Sequence, residues 1–153
     1  MHQVSIILGP NLNMLGKRES QYYGDLTLDQ IKKLTESKIQ NLPVKIQWFQ
    51  SNSESEIVEK IQACSKSSDS GIVINPGAYT HTSVAIHDAL KTFKGPIVEV
   101  HLSNVTSRES FRSPRLTSQA ASIIIEGLGK LAFYIGIISL LERIEDGISN
   151  SRS

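Results

Sequence analysis

The sequence predicts one three-layer α/β domain with a flavodoxin-like fold, a five-stranded parallel sheet in the order 2-1-3-4-5. Short β-rich runs alternate with helical patterns along the chain, and several of those runs are continuously apolar, as strands covered on both faces are. A length of 153 residues suits a single domain with its own hydrophobic core. Residues 1–148 are expected to form that domain, and 149–153 a flexible tail.

The strands are expected at Val4–Leu8, Val44–Phe49, Gly71–Asn75, Pro96–His101 and Ser122–Glu126. Between them, Thr27 with Gln30 reads as a capping box opening a helix whose apolar face is Leu28, Ile31, Leu34, Ile39 and Leu42, stopped by Asn41 and Pro43. Ser53 with Glu56 reads as a second box, before Ile57, Val58, Ile61 and Cys64. A third helix carries Ala85, Ile86, Ala89, Leu90 and Phe93, and the last runs from about Gly129 to Glu145. Strands separated by helices imply parallel pairing through right-handed crossovers. The last helix is apolar on too many sides for one stripe, with Ile135, Ile137, Ile138, Leu140, Leu141 and Ile144, so self-association is expected to cover the surplus.

Composition excludes several functions. Lys+Arg 16 against Asp+Glu 15 leaves a formal charge of +1, too little for a general attraction to nucleic acid or anionic lipid. Cys64 is the only cysteine, and no basic segment followed by an apolar run stands at the start, so a reducing, cytoplasmic setting is expected. The longest apolar stretch, Leu131–Leu141, is 11 residues, well short of a membrane span. Neither paired cysteines nor a His-Glu-x-x-His helix is present, so no metal site is expected.

Ligands of open α/β sheets bind beyond the carboxyl ends of the strands. There the sequence places Gly9-Pro10-Asn11-Leu12-Asn13, Asn75-Pro76-Gly77-Ala78-Tyr79-Thr80-His81 and His101-Leu102-Ser103-Asn104. Taken singly, Asn and Ser at strand ends are turn formers, His101 could be a bystander, and His81 a residue of a helix start. Their convergence on one edge points to a site. The connection from Asn13 to Gly24 is too long for an ordinary βα loop and suits a lid, with Gly16 and Gly24 as hinges. Within it Arg18 and Tyr23 can approach each other; the alternative is a solvated loop with one tyrosine tucked inward. A guanidinium about 4 Å from a phenol would favour the phenolate by roughly 4 kcal/mol at an effective dielectric of about 20, enough to make tyrosine a usable base.

Together these segments, with Arg18-Glu19, Tyr23-Gly24, Phe49-Gln50-Ser51-Asn52-Ser53-Glu54, Glu99-Val100-His101, Arg108-Glu109 and Phe111-Arg112, strongly resemble the type II 3-dehydroquinate dehydratases of the shikimate pathway, nearly throughout the chain. The resemblance implies dehydration of 3-dehydroquinate to 3-dehydroshikimate without metal, organic cofactor or lysine Schiff base. It implies Tyr23 as the base at C2, Arg18 as the lid residue keeping it ionised, and Asn11 as support for the enolate through a bound water. His101 is implied as the acid for the C1 hydroxyl, oriented by Glu99. Asn75, Ser103 and the backbone N–H of Leu102 resemble the carboxylate cradle, and His81 and Arg112 the ring-hydroxyl ligands. Asp88 matches a residue reaching a neighbouring subunit's site, and the family points to a homododecamer built from trimers.

The sequence departs from the family pattern at Ser20, where proline is usual, at Ser55, at Ser113-Pro114-Arg115-Leu116, which lacks Ser-Tyr, and at Ala132-Phe133 in place of Gly-Tyr. These bear on lid dynamics and local packing. One rival is nucleotide binding, since Gly127-Leu128-Gly129-Lys130-Leu131-Ala132 fits Gly-x-Gly-x-x-Ala between a strand and a helix. No strand follows to supply a ribose-binding acid, and glycines allowing close helix–sheet packing explain the motif better. Flavin binding lacks a hydroxyl-rich phosphate loop after strand 1, and an assembly scaffold would leave Arg18, Tyr23 and His101 unexplained.

Overall fold

The computed structural model describes residues 1–17, 25–67 and 69–147. The lid residues Arg18 to Gly24 and the tail expected at 149–153 lie outside the described residues. β1 (His2–Leu8), β2 (Val44–Gln50), β3 (Gly71–Asn75), β4 (Ile97–His101) and β5 (Ile123–Glu126) form the sheet in the order β2-β1-β3-β4-β5. All four pairings are parallel, with Leu8 opposite both Gln50 and Asn75, and His101 opposite Glu126. β3 and β4 are buried at every position, as their continuous apolar runs require, while the edge strands β2 and β5 are only partly covered.

The helices are α1 (Leu28–Ile39), α2 (Glu54–Lys66), α3 (Val84–Thr92) and α4 (Ala132–Glu145). Two buried clusters lie on the sheet's faces: Ile6, Leu8, Val73, Val98 and Val100 meet Ile31 of α1 and Phe133, Ile137 and Leu140 of α4, while Ile7, Ile72, Ile74 and Ile97 meet Ile57, Ile61, Ile86 and Leu90 of α2 and α3. Phe133 stands edge-on to Trp48, ring centroids 5.5 Å apart, which brings edge strand β2 under the last helix.

The local signals hold with four corrections. Thr27 and Gln30 form the full capping box. Ser53 caps Glu56, but the Glu56 carboxylate turns to the Ser51 hydroxyl, and the Ser53 N–H goes to that same hydroxyl at 2.9 Å; the second box is half of one. On α1 Thr35 is fully buried beside Ile31, its hydroxyl bonded 2.8 Å to Ile31 O, and Leu34 is only half-buried. Ala85 faces solvent, so the buried side of α3 is Ile86, Ala89 and Leu90. The last helix begins at Ala132, after a 3₁₀ turn at Gly129–Leu131. Of its apolar surplus, Ile135, Ile138 and Ile144 are half-buried, and Ile144 packs against the core.

At the centre of the sheet, the first turns after β1 and β3 touch. Gly9 N–H donates to Asn75 O at 2.8 Å, and a Cβ on Gly9 would stand 2.3 Å from Pro76 O. Gly9→Ala is therefore expected to cost at least about 3 kcal/mol through backbone displacement. Gly129→Ala, at φ +55° with nothing within 4 Å, should cost only the left-handed conformational penalty of about 1–2 kcal/mol. Urea denaturation of the two variants checks the contrast.

Candidate active site

Because β1, β3 and β4 run parallel, their carboxyl ends deliver three turns to one edge. Asn11, Asn75, His81, His101, Leu102, Ser103 and Arg112 all line the cleft there, as the sequence predicted. Asn11 sits at φ 70°, a left-handed conformation asparagine tolerates, and its N–H is held 3.0 Å from Asn52 Oδ1. Gln50 Nε2 also donates to Asn52 Oδ1, at 3.2 Å, and Tyr79 Oη to Asn52 O, at 3.1 Å, so turns after β2 and β3 brace Asn11. The Asn75 Oδ1 accepts from Gly77 N–H at 3.1 Å, which leaves its amide N–H groups as the donors facing the cleft.

Glu99 and His101 are two apart on β4 and share a face. Glu99 is fully buried, and its Oε2 lies 2.8 Å from His101 Nε2. A buried carboxylate needs partners, and Glu99 has several: Thr80 Oγ1 at 3.0 Å, Thr117 Oγ1 at 2.6 Å and Ser118 Oγ at 2.5 Å. Burial pushes its pKa up, but hydrogen bonding and charge from His101, with the Ser118 and Thr117 hydroxyls, prevail and hold it below the usual glutamate value. With Nε2 committed to Glu99, Nδ1 of His101 is the nitrogen left for the cleft.

His81 and Arg112 also line the cleft. His81 Nδ1 donates to Pro114 O at 2.7 Å, since a carbonyl only accepts. Partial burial lowers the His81 pKa, against the Pro114 hydrogen bond and with help from Arg112, Arg115 and His101. The ring is thus neutral at physiological pH, with Nε2 as an acceptor. Arg112 Nε donates to Glu109 Oε1 at 2.8 Å and keeps that exposed carboxylate ionised below its ordinary range. Arg108 also lines the cleft, its side chain 6% exposed; it stands in a matched motif, but the sequence gave it no separate role.

Of the remaining site residues, Asp88 is described and does not line this cleft. Asp88 lies on the outer side of α3, its side chain 72% exposed and paired with His87 at 3.1 Å. Arg18 and Tyr23 are outside the described residues. Preceding them, Leu12 and Leu15 are buried, and Gly16, at φ +88°, packs against Thr27 at the start of α1. Lys17 is exposed. Sequence reasoning overlooked Thr80, Thr117 and Ser118, because hydroxyls in connections look like turn formers until the fold shows what they face.

The glycine motif after β5 is occupied by structure. Gly127 N–H donates to His101 O at 3.2 Å and Gly129 N–H to Leu102 O at 2.9 Å, so neither is available to a phosphate. Both glycines have positive φ, and an added Cβ would meet nothing closer than Asn104 Cβ at 3.7 Å. Their requirement is conformational rather than close packing. Close packing applies at Gly136, where a Cβ would lie 3.0 Å from Val100 Cγ1.

A buried carboxylate bonded to an imidazole, at a cleft on the carboxyl edge of the sheet, puts the chain among the open-sheet α/β enzymes that build their sites there. The sequence model of the family Dehydroquinase class II matches residues 2–141, and the chain belongs to that family. It is 44% identical over 144 residues to the 3-dehydroquinate dehydratase of Aliarcobacter butzleri, covering 94% of this chain and 87% of the relative. It is 46% identical over 145 residues to that of Hydrogenovibrio crunogenus, covering 95% and 100%. The crystal structure of the type II dehydroquinase from Butyrivibrio crossotus superposes with a TM-score of 0.88 at 37% identity, covering 92% of this chain and 97% of that one. No described helix is long and apolar enough to cross a membrane.

Because the folded state holds Glu99 below its reference value of 4.5, the stability it contributes is present above pH 4.5 and lost as pH falls through the depressed value. Glu99→Gln should cost on the order of 3 kcal/mol near neutrality, through the partners left behind. The gap to the parent protein should narrow at pH values below 4.5. Denaturant titrations across pH read both effects.

Proposed function

We propose that the chain dehydrates 3-dehydroquinate to 3-dehydroshikimate through an enolate, by proton transfer alone. Family membership and the names of its relatives support the overall reaction. The observation that carries the mechanism is the Glu99–His101 pair at a cleft also lined by amide, hydroxyl, imidazole and guanidinium groups.

In this reading Tyr23, kept as phenolate by Arg18, takes the proton from C2, which the neighbouring ketone acidifies. Negative charge develops on the carbonyl oxygen, and Asn11 stabilises it through a bound water. His101 then gives the Nδ1 proton to the C1 hydroxyl, which leaves as water while the enolate collapses to the conjugated enone. The Glu99 carboxylate stabilises the imidazolium before that transfer. Asn75, Ser103 and the N–H of Leu102 hold the substrate carboxylate, and neutral His81 with Arg112 holds the ring hydroxyls. No metal, organic cofactor or Schiff base takes part.

Asp88 is read as serving the site of an adjacent copy, in a homododecamer of trimers working in the cytoplasm. Its exposure away from its own cleft supports that role, and the exposed Ile124 and Leu128 beside edge strand β5 support self-association. Nucleotide binding finds no support, given the occupied Gly127 and Gly129 amides.

Protein mixed with 3-dehydroquinate, a chelator and no nucleotide should generate the ultraviolet absorbance of a conjugated enone. Tyr23→Phe, Arg18→Ala and His101→Ala should each reduce kcat by on the order of 10²- to 10⁴-fold. Their thermal unfolding should change far less. Near-normal turnover by Tyr23→Phe would remove the base assignment, and NAD binding without turnover would favour the nucleotide reading.

A further inference from the structure

Glu99 sits where four donors converge from three parts of the chain. His101 comes from its own strand, Thr80 from the 3₁₀ turn Gly77–His81 after β3, and Thr117 and Ser118 from the turn before β5. Thr80, Thr117 and Glu99 have no exposed surface, and Ser118 is 6% exposed. The turns are also locked together through the backbone: Leu116 N–H donates to Thr80 O at 2.7 Å, and Pro114 O receives His81 Nδ1.

The hydrogens can be counted. Thr117 Oγ1 lies 2.6 Å from Glu99 Oε1 and 2.8 Å from Thr80 Oγ1, but it has one proton. If that proton goes to Glu99, Thr80 is free to donate to Glu99 Oε2, and both carboxylate oxygens are served as acceptors. A neutral carboxyl would instead have to give its proton to one of these partners, which would then accept from Glu99 rather than donate to it. The ionised form therefore uses all the donors, and the neutral form loses one. Among the described residues, Glu99's neighbours in register across the sheet are the apolar Ile74 and Ile124, and the turns that bond it bring hydroxyls.

We propose that Thr80, Thr117 and Ser118 are positioning residues of the reaction, acting through Glu99: their hydroxyls hold its carboxylate in one orientation as an acceptor, so that His101, bonded to it through Nε2, presents Nδ1–H to the cleft. The proposal rests on the reading of His101 as the acid. It differs from a packing role because hydroxyl loss should change the titration of Glu99, which loss of a packing contact would not.

The decisive comparison is between the parent protein, Thr117→Val with Ser118→Ala, and Thr117→Ser. In the double variant the acidic limb of kcat should move to higher pH by about one unit or more, the scale of hydrogen bonds to a charged acceptor, with KM changed less than about twofold. Thr117→Ser should restore the parent profile at that position. Infrared difference spectra supply a readout apart from turnover: the pH at which a buried carboxylic C=O band appears, identified by its absence in Glu99→Gln, should rise in parallel. If the double variant does not fold, Ser118→Ala alone, which removes one oxygen, should show a smaller shift in the same direction. A folded variant with unchanged kcat profile and unchanged infrared titration would reduce the hydroxyls to packing. His101→Ala separates the two ideas: normal turnover there would end the acid assignment, while the infrared titration would still decide whether the hydroxyls control Glu99.

Discussion

A carboxylate without solvent is tolerated only when its charge is matched, and Glu99 imposes that condition on everything around the end of β4. Its partners come from β4, from the turn after β3 and from the turn before β5, so the requirement reaches across distant parts of the sequence. Satisfying it fixes the imidazole of His101 and the seam between residues 80–81 and 114–118 together. The same seam fixes the ring orientation of His81, because its Nδ1–H is held by Pro114 O.

A second constraint lies at the switch point of the sheet. Strands β2 and β3 flank β1, so the chain leaves β1 with neighbours on both sides and the turn must pass close to the one after β3. Gly9 permits that approach, and the left-handed Asn11 that follows is braced by Asn52, Gln50 and Tyr79. The consequence is chemical as well as geometric. An asparagine side chain assigned to supporting a developing oxyanion gains most from being held in place before the charge appears.

Much of this arrangement was legible in the sequence because periodicity and strand-end chemistry are local signals. The continuous apolar runs of β3 and β4 gave their central position, Thr27 with Gln30 gave the start of α1, and polar groups after β1, β3 and β4 converged as the topology demanded. What could not be read depends on partners remote in sequence. Glu56 fits a box pattern, yet Ser51 offers it a better partner, and Thr35 fits no apolar stripe because its hydroxyl is satisfied by Ile31 O. The hydroxyls of Thr80, Thr117 and Ser118 have no spacing relation to Glu99, 19 or 18 residues away. The departures from the family pattern are likewise resolved by contacts: Arg115 forms an ion pair with Glu126, and Phe133, fully buried on Trp48, has no hydroxyl requiring a partner.

The Gly127-x-Gly129 segment shows why a motif has chemistry only through the atoms it leaves free. In a phosphate loop, glycines allow backbone N–H groups to point together into an empty space at a helix start. Here positive φ at the same two residues turns their N–H groups back onto the carbonyls of His101 and Leu102. That contact pins the strand end carrying the imidazole to the turn leading into α4. A side chain at either position would meet no close neighbour, so what the two glycines supply there is the left-handed backbone that makes this contact possible.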